Sequence, residues 1–434
     1  MAPVEPAAEV PDTTAYRLSV IFAGTVGNAI EFYDFTVYAF LAVYFVNHFF
    51  PLNDPVAGLL ASYGALAAGM IMRPVGGVII GSLGDRLGRK LALQVSIALI
   101  ALPTLLIGLL PTYQQIGMAA PILLISLRMI QGLSVGGEYS ASIIYIIEQA
   151  PPARRGLWGS FNPMGGFGGI FLGAAVCIIL TNQLGAAQMS DWGWRVPFIA
   201  SIALTLAGAA VRLGLGVESR VALLKKHRVP VLLALRVHWR ALAAIALANV
   251  STGIVTFVGF TYTVSWMELE AGVSRQHALG VNLCALLMAA AFSVLGGMAG
   301  DRFGLLRVAT AGLVVLVLGA WPALTAIASP ALAHQLAGLA LLALGQGLFV
   351  GPMCACMTTL VPMHVRATIV SLGYGLSVGI FGGLAPMATE YMLSRLGFGM
   401  APAMVIMAGA VASLAALTLS RSWRSFDPRL PEER

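Results

Sequence analysis

Five ionisable residues stand inside long apolar stretches of this chain: Glu31, Asp34, Arg73, Arg128 and Glu138. A charge in hydrocarbon costs free energy unless it is paired, so such residues are read first as functional. Carboxylates placed there can carry protons. Desolvation favours the neutral acid and a neighbouring cation favours the carboxylate. An acid whose cation is borrowed by an incoming anion would therefore take up a proton. Arginine presents two parallel N–H donors that match a carboxylate. The set thus holds the parts of a proton-coupled anion carrier: Arg73 and Arg128 for the anion, with Gln131 one turn from Arg128, and Glu31, Asp34 and Glu138 for the proton.

Asn28, Glu31 and Asp34 step by three and lie along one side of a helix. At a rise of about 1.5 Å per residue, Glu31 and Arg73 reach similar depths and can touch. Asp34 and Arg128 lie higher and can face each other across a cavity. The second half of the chain carries almost no such charge and offers neutral groups instead. Among them Tyr262, Gln346 and Tyr374, the last between two glycines, are the candidate substrate contacts, with Asn28 on the first-half side. The expectation is a division of labour: charge recognition and proton coupling in the first half, neutral hydrogen bonds from the second.

Nothing in the sequence points to an enzyme or to a cofactor. No nucleophile–base pair, metal cluster or phosphate loop occurs in a polar setting. Cys177, Cys284, Cys354 and Cys356 sit in apolar stretches without metal-ligand spacing and read as packing residues.

The elements that must hold these residues are membrane spans. Of the 434 residues 59% are hydrophobic and 10% charged, with a mean hydropathy of +0.88; soluble domains carry roughly 25% charged residues. A span needs about 20 apolar residues, and twelve apolar runs fill the chain between about 18 and 420. The net charge of +7 is a topology signal, not a nucleic-acid surface. With the N-terminus inside, most arginines and lysines fall in cytoplasmic segments, and only Arg195, Arg275 and Arg395 in outer ones.

The division expected is a disordered cytoplasmic tail at 1–16, a six-helix bundle at 17–216, a basic cytoplasmic linker at 217–240, a second six-helix bundle at 241–421 and a tail at 422–434. The halves are related by a repeat. Gly81, Gly84, Asp85, Arg86 and Gly88 recur as Gly297, Gly300, Asp301, Arg302 and Gly304, each 216 residues on, which is the mark of parallel duplication. Glu148, at the inner end of its span, can reach Arg86 or Arg89 and form with Asp85 a gate. Gly81, Asp301 and Arg302 complete the gate set. The second copy, with Leu305 and Leu306 in place of a basic pair, reads as a weaker version.

The stretch Gly81-Ser-Leu-Gly84-Asp85-Arg86-Leu-Gly88-Arg89-Lys90 resembles the loop motif of the major facilitator superfamily. Gly27-Asn28-x-x-Glu31-Phe-Tyr-Asp34-Phe35, Arg73-Pro74-x-Gly76-Gly77, Arg128-x-x-Gln131-Gly132, Gly136-Gly137-Glu138 and Gly193-Trp194-Arg195-x-Pro197-Phe198 narrow it. They are similar to the metabolite–proton symporter family, and closest to its citrate/tricarballylate symporters. The seventh span has Tyr262-Thr-Val264-Ser-Trp266 where the family often shows Tyr-x-Pro-x-Tyr.

The resemblance implies an all-α membrane protein of twelve transmembrane helices in two bundles, monomeric in the bacterial inner membrane with both termini cytoplasmic. It implies import of a di- or tricarboxylate with protons by alternating access. Two other readings stay open: a symporter for 2-oxoglutarate or a zwitterionic osmolyte, and an efflux antiporter, for which the glycine-rich fifth span offers a faint likeness.

Overall fold

Backbone N–H and C=O groups in lipid must be satisfied within the segment, which favours helices. The computed structural model of this chain describes residues 14–50, 55–87, 89–214, 231–269, 271–363 and 365–419, with side chains at 81 and 84–90 and several others left out. Among the described residues there is no strand. Nine helices among the described residues are long and apolar enough to cross a membrane, and three shorter apolar ones fall between them.

In chain order they are α1 (Ser19–Phe49), α2 (Gly64–Ile80), α3 (Gln94–Leu109), α4 (Ala119–Gln149), α5 (Pro152–Gly193) and α6 (Arg195–Gly208). The second half supplies α7 (Leu235–Leu269), α8 (Arg275–Phe303), α9 (Leu305–Ile327), α10 (Leu332–Thr359), α11 (Arg366–Leu396) and α12 (Ala401–Leu419). Large apolar side chains point outward as well as inward: Leu206, Leu318 and Leu419 are 64%, 72% and 70% exposed. An apolar outer surface of this kind suits lipid.

The expected tails fall largely outside the described residues, as does 217–230 of the expected linker. Its remainder, 231–240, is helical and runs into α7 through a kink at His238. The two halves meet along two seams, α2 against α11 and α5 against α8.

Local sequence shapes these seams. Pro74 has no N–H to offer the Met70 carbonyl, and the helix breaks at Met72, immediately before Arg73. Gly379 of α11 lies against that carbonyl so closely that a Cβ on it would sit 2.4 Å from the Met70 oxygen. At the end of α8 the repeated motif turns on Gly304, whose φ of 105° excludes side chains in practice. Both α7 and α11 contain a wider, π-helical stretch, Val255–Tyr262 and Ser377–Gly382. Such widenings recur at functional sites.

Candidate transport path

The chain begins and ends its described spans on one face, here the terminal face. Working inward from the centre of α1, Glu31 and Arg73 form the contact expected of them, an ion pair of 3.2 Å with both side chains at most 2% exposed. The pair is under-bonded: Glu31 Oε2 and Arg73 Nε have no hydrogen-bond partner among the described residues. Arg73 also lies 5.0 Å from the centre of the Phe35 ring.

Asp34 and Arg128 do not form the direct pair that depth alone suggested. Thr104 of α3 takes Asp34, donating its hydroxyl at 2.7 Å, and Gln131 donates in turn to Thr104 Oγ1 at 2.6 Å. Arg128 instead lies over the Tyr38 ring, 3.6 Å from its centroid. None of its three guanidinium nitrogens finds a hydrogen-bond partner among the described residues, although the side chain is fully buried. Helical rise gives depth but not azimuth, and azimuth decided this contact.

Asn28 uses its amide nitrogen in a helix contact, and its Oδ1 has no hydrogen-bond partner among the described residues. Its amide donates to the Asn162 carbonyl at 2.6 Å and to Asn162 Oδ1 at 3.2 Å, which fastens α1 to α5. Glu138 is buried on α4 and accepts from Ser142 one turn on.

A cavity lies between the halves, and six helices line it. Phe32, Tyr139 and Phe167 face it from the first half; Thr256, Gln346 and Tyr374 face it from the second. Gln346 and Tyr374, two of the expected substrate contacts, are thus brought together in one wall. Tyr139 stacks on Tyr374 across the seam, centroids 4.1 Å apart and planes 7° apart. Gly375, next to Tyr374, packs against the Arg73–Pro74 backbone, so the ion pair and the ring stack are neighbours.

Tyr262 does not line this cavity. Its hydroxyl donates to Glu390 of α11 at 2.7 Å, and both are buried. Glu390 corrects the expectation that the second half is almost free of buried charge, as does Arg366, which is 2% exposed. Each stands near an end of α11, where sequence alone suggests a solvated position. Packing against other helices buries them.

Contacts join the two halves on both faces of the molecule. On the terminal face Asp301 accepts from the backbone N–H of Gly156 at 2.7 Å and of Leu157 at 2.8 Å. These are otherwise unsatisfied donors of the first turn of α5, where the helix dipole also favours an anion. Glu148 pairs with Arg366 across the halves at 3.6 Å. Its expected partners Arg86 and Arg89, with Gly81 and Asp85, lie outside the residues whose side chains are described. Arg302 is exposed beside Phe303. On the opposite face Arg275 of α8 donates to the Phe40 carbonyl of α1 at 2.7 Å, and Gln276 to Asn182 of α5 at 2.8 Å.

A twelve-helix molecule in two halves, with a central cavity beside a buried ion pair, has the architecture of a secondary transporter. The Major Facilitator Superfamily family model matches residues 24–386, and the chain belongs to that superfamily of membrane transporters, which are not enzymes. It is 31% identical to a proline/betaine transporter of Escherichia coli strain K12 over 407 residues, 91% of this chain and 81% of that one. It is 30% identical to a citrate-proton symporter of Klebsiella pneumoniae, over 88% of this chain and 86% of the other. Among solved structures, the proton:xylose symporter XylE matches with a TM-score of 0.71 at 17% identity, covering 94% of this chain and 96% of its own. That likeness carries the fold alone.

Proposed function

We propose that this chain is a proton-coupled symporter for a small carboxylate-bearing solute, with Arg73 receiving the carboxylate and Glu31 the proton. The observation that carries the reading is the buried, under-bonded Glu31–Arg73 pair beside the cavity. A substrate carboxylate that engages Arg73 takes the cation from Glu31. An ionised Glu31 left alone in the membrane interior is costly, and a proton removes that cost. Substrate and proton then load together, and the rocking of the two halves about the cavity carries both. Asp34, held by Thr104, and Glu138 are further acids on the same path, with Gln131 positioning Thr104. With the basic-residue bias read as topology, the terminal face is cytoplasmic and the membrane is the bacterial inner membrane.

Of the two substrate classes carried by the relatives' names, a zwitterion fits the cavity better. The rings of Phe32, Tyr139, Phe167 and Tyr374 suit an ammonium group, and Arg73 suits its carboxylate. Arg128 supports the second reading, a di- or tricarboxylate such as citrate, because it is a second buried guanidinium, with no hydrogen-bond partner among the described residues.

Uptake into proteoliposomes of the full chain decides between them. Labelled proline, betaine and citrate are each offered with and without an inward proton gradient. We expect one carboxylate solute to accumulate only with the gradient. Glu31→Gln should retain solute exchange while losing gradient-driven accumulation. Arg73→Gln should weaken solute binding about tenfold or more, the scale of a hydrogen bond to a charged group. No gradient-stimulated uptake of any carboxylate by folded protein would sink the reading.

A further inference from the structure

Gln346 sits in the wall of the central cavity and is fully buried. Its amide nitrogen faces α7, donating to the Thr252 carbonyl at 3.3 Å and to Thr256 Oγ1 at 3.4 Å. The Thr252 carbonyl can only accept, so the group facing it must be the NH2 end of the amide. That settles the orientation of a side chain whose O and N are otherwise interchangeable. The other end, Oε1, has no hydrogen-bond partner among the described residues. A buried carbonyl oxygen with nothing to accept is costly and rare in folded proteins. Here it belongs to a residue lining a chamber whose other walls are aromatic rings, threonines and small apolar side chains.

We propose that Gln346 Oε1 is the specificity-determining acceptor of the site, and that the substrate must carry an N–H or O–H donor to meet it. This deepens the proposed function without depending on the substrate's charge class. Within the zwitterions it favours an imino or amino acid, which has N–H bonds on its ammonium, over a fully N-methylated solute, which has none. Aromatic walls alone would accept both. Within the polycarboxylates it favours citrate, which has a hydroxyl, over tricarballylate, which is the same skeleton without one. The bond forms as substrate enters and breaks as it leaves, so the orphaned acceptor is satisfied only in the loaded state.

The test is binding to the purified full chain, read as thermal stabilisation and confirmed by competition. The probes are proline, N-methylproline and N,N-dimethylproline, with citrate and tricarballylate as a second series and a panel of other small solutes with and without donors. In whichever series binds, affinity should fall about tenfold or more at the step that removes the last donor. For proline that is the second methylation and not the first, which separates the hydrogen bond from bulk. Gln346→Met, of similar length and without the acceptor, should flatten that step to within about twofold.

Equal affinity of wild type across the step overturns the proposal, and so does a tightest ligand that has no donor, whatever its charge. The wild-type series stands even if the substituted protein folds poorly. A tightest ligand with a donor but no carboxylate would overturn the proposed function and uphold the role of Gln346.

Discussion

At the scale of residues, the path is built from polar groups held by one bond where they could make two or three. Thr104 is the hub of the outer part. Its hydroxyl serves Asp34 as donor and Gln131 as acceptor at once. Thr104→Val keeps the shape and leaves both partners buried without it. A cost of about 1–3 kcal/mol is the expected scale for stranding a buried polar group. Thermal unfolding in detergent should show a clear fall for Thr104→Val and nearly none for Thr104→Ser; equal melting of all three proteins would exclude the hub.

Much of this chemistry is legible in the sequence, because ionisable residues are conspicuous in apolar runs. Depth alone brings Glu31 and Arg73 together. The partner of Arg128 was not found that way, since Tyr38 is an ordinary aromatic by sequence and only rotation about the helix brings it under the guanidinium. Gln346 was legible as polar, but not as an acceptor left unused. That needed the position of the Thr252 carbonyl.

At the scale of elements, α2 and α11 form the tighter test. Pro74 frees the Met70 carbonyl, and Gly379 fills the space against it. Gly379→Ala would place a methyl within 2.4 Å of that oxygen, so the two helices must part locally. Single-cysteine labelling along α2 should become faster in this variant, while the analogous Gly399→Ala, where a methyl meets open space, should leave it unchanged. The twelve spans and the repeat were readable from apolar period and motif. The π-helical stretches of α7 and α11 were not: a one-residue widening leaves composition and hydropathy untouched. Nor was the depth at which Glu390 is buried, because Tyr262, which it meets, is 128 residues away in sequence.

At the scale of the whole molecule, the halves are joined on the two faces by different chemistry. The terminal face uses charges: Asp301 on the first turn of α5, and Glu148 with Arg366. The opposite face uses Arg275 on a backbone carbonyl and a pair of amides. Asp301→Asn removes the anion at a helix N-terminus, worth about 0.3–2 kcal/mol, and should shift the population toward opening on the terminal face. Arg275→Ala should shift it the other way. Cysteines placed at each rim and probed with a membrane-impermeant thiol reagent report both shifts; parallel changes at the two rims in either variant would contradict a reciprocal mechanism. The second motif copy, expected to be the weaker gate because it lacks a basic pair, meets the first half through backbone donors that no side-chain pattern displays.

Between the rims, Tyr139 lies flat on Tyr374. Stacked rings resist separation but offer little directional resistance to sliding or turning in their plane, so this contact can serve as a bearing where a salt bridge would act as a weld. The consequence is mechanical. Both rings line the chamber, so a solute admitted there would lie against the bearing itself. On the proposed reading it acts by changing what the turning costs, neutralising a charge that would otherwise be carried round uncompensated.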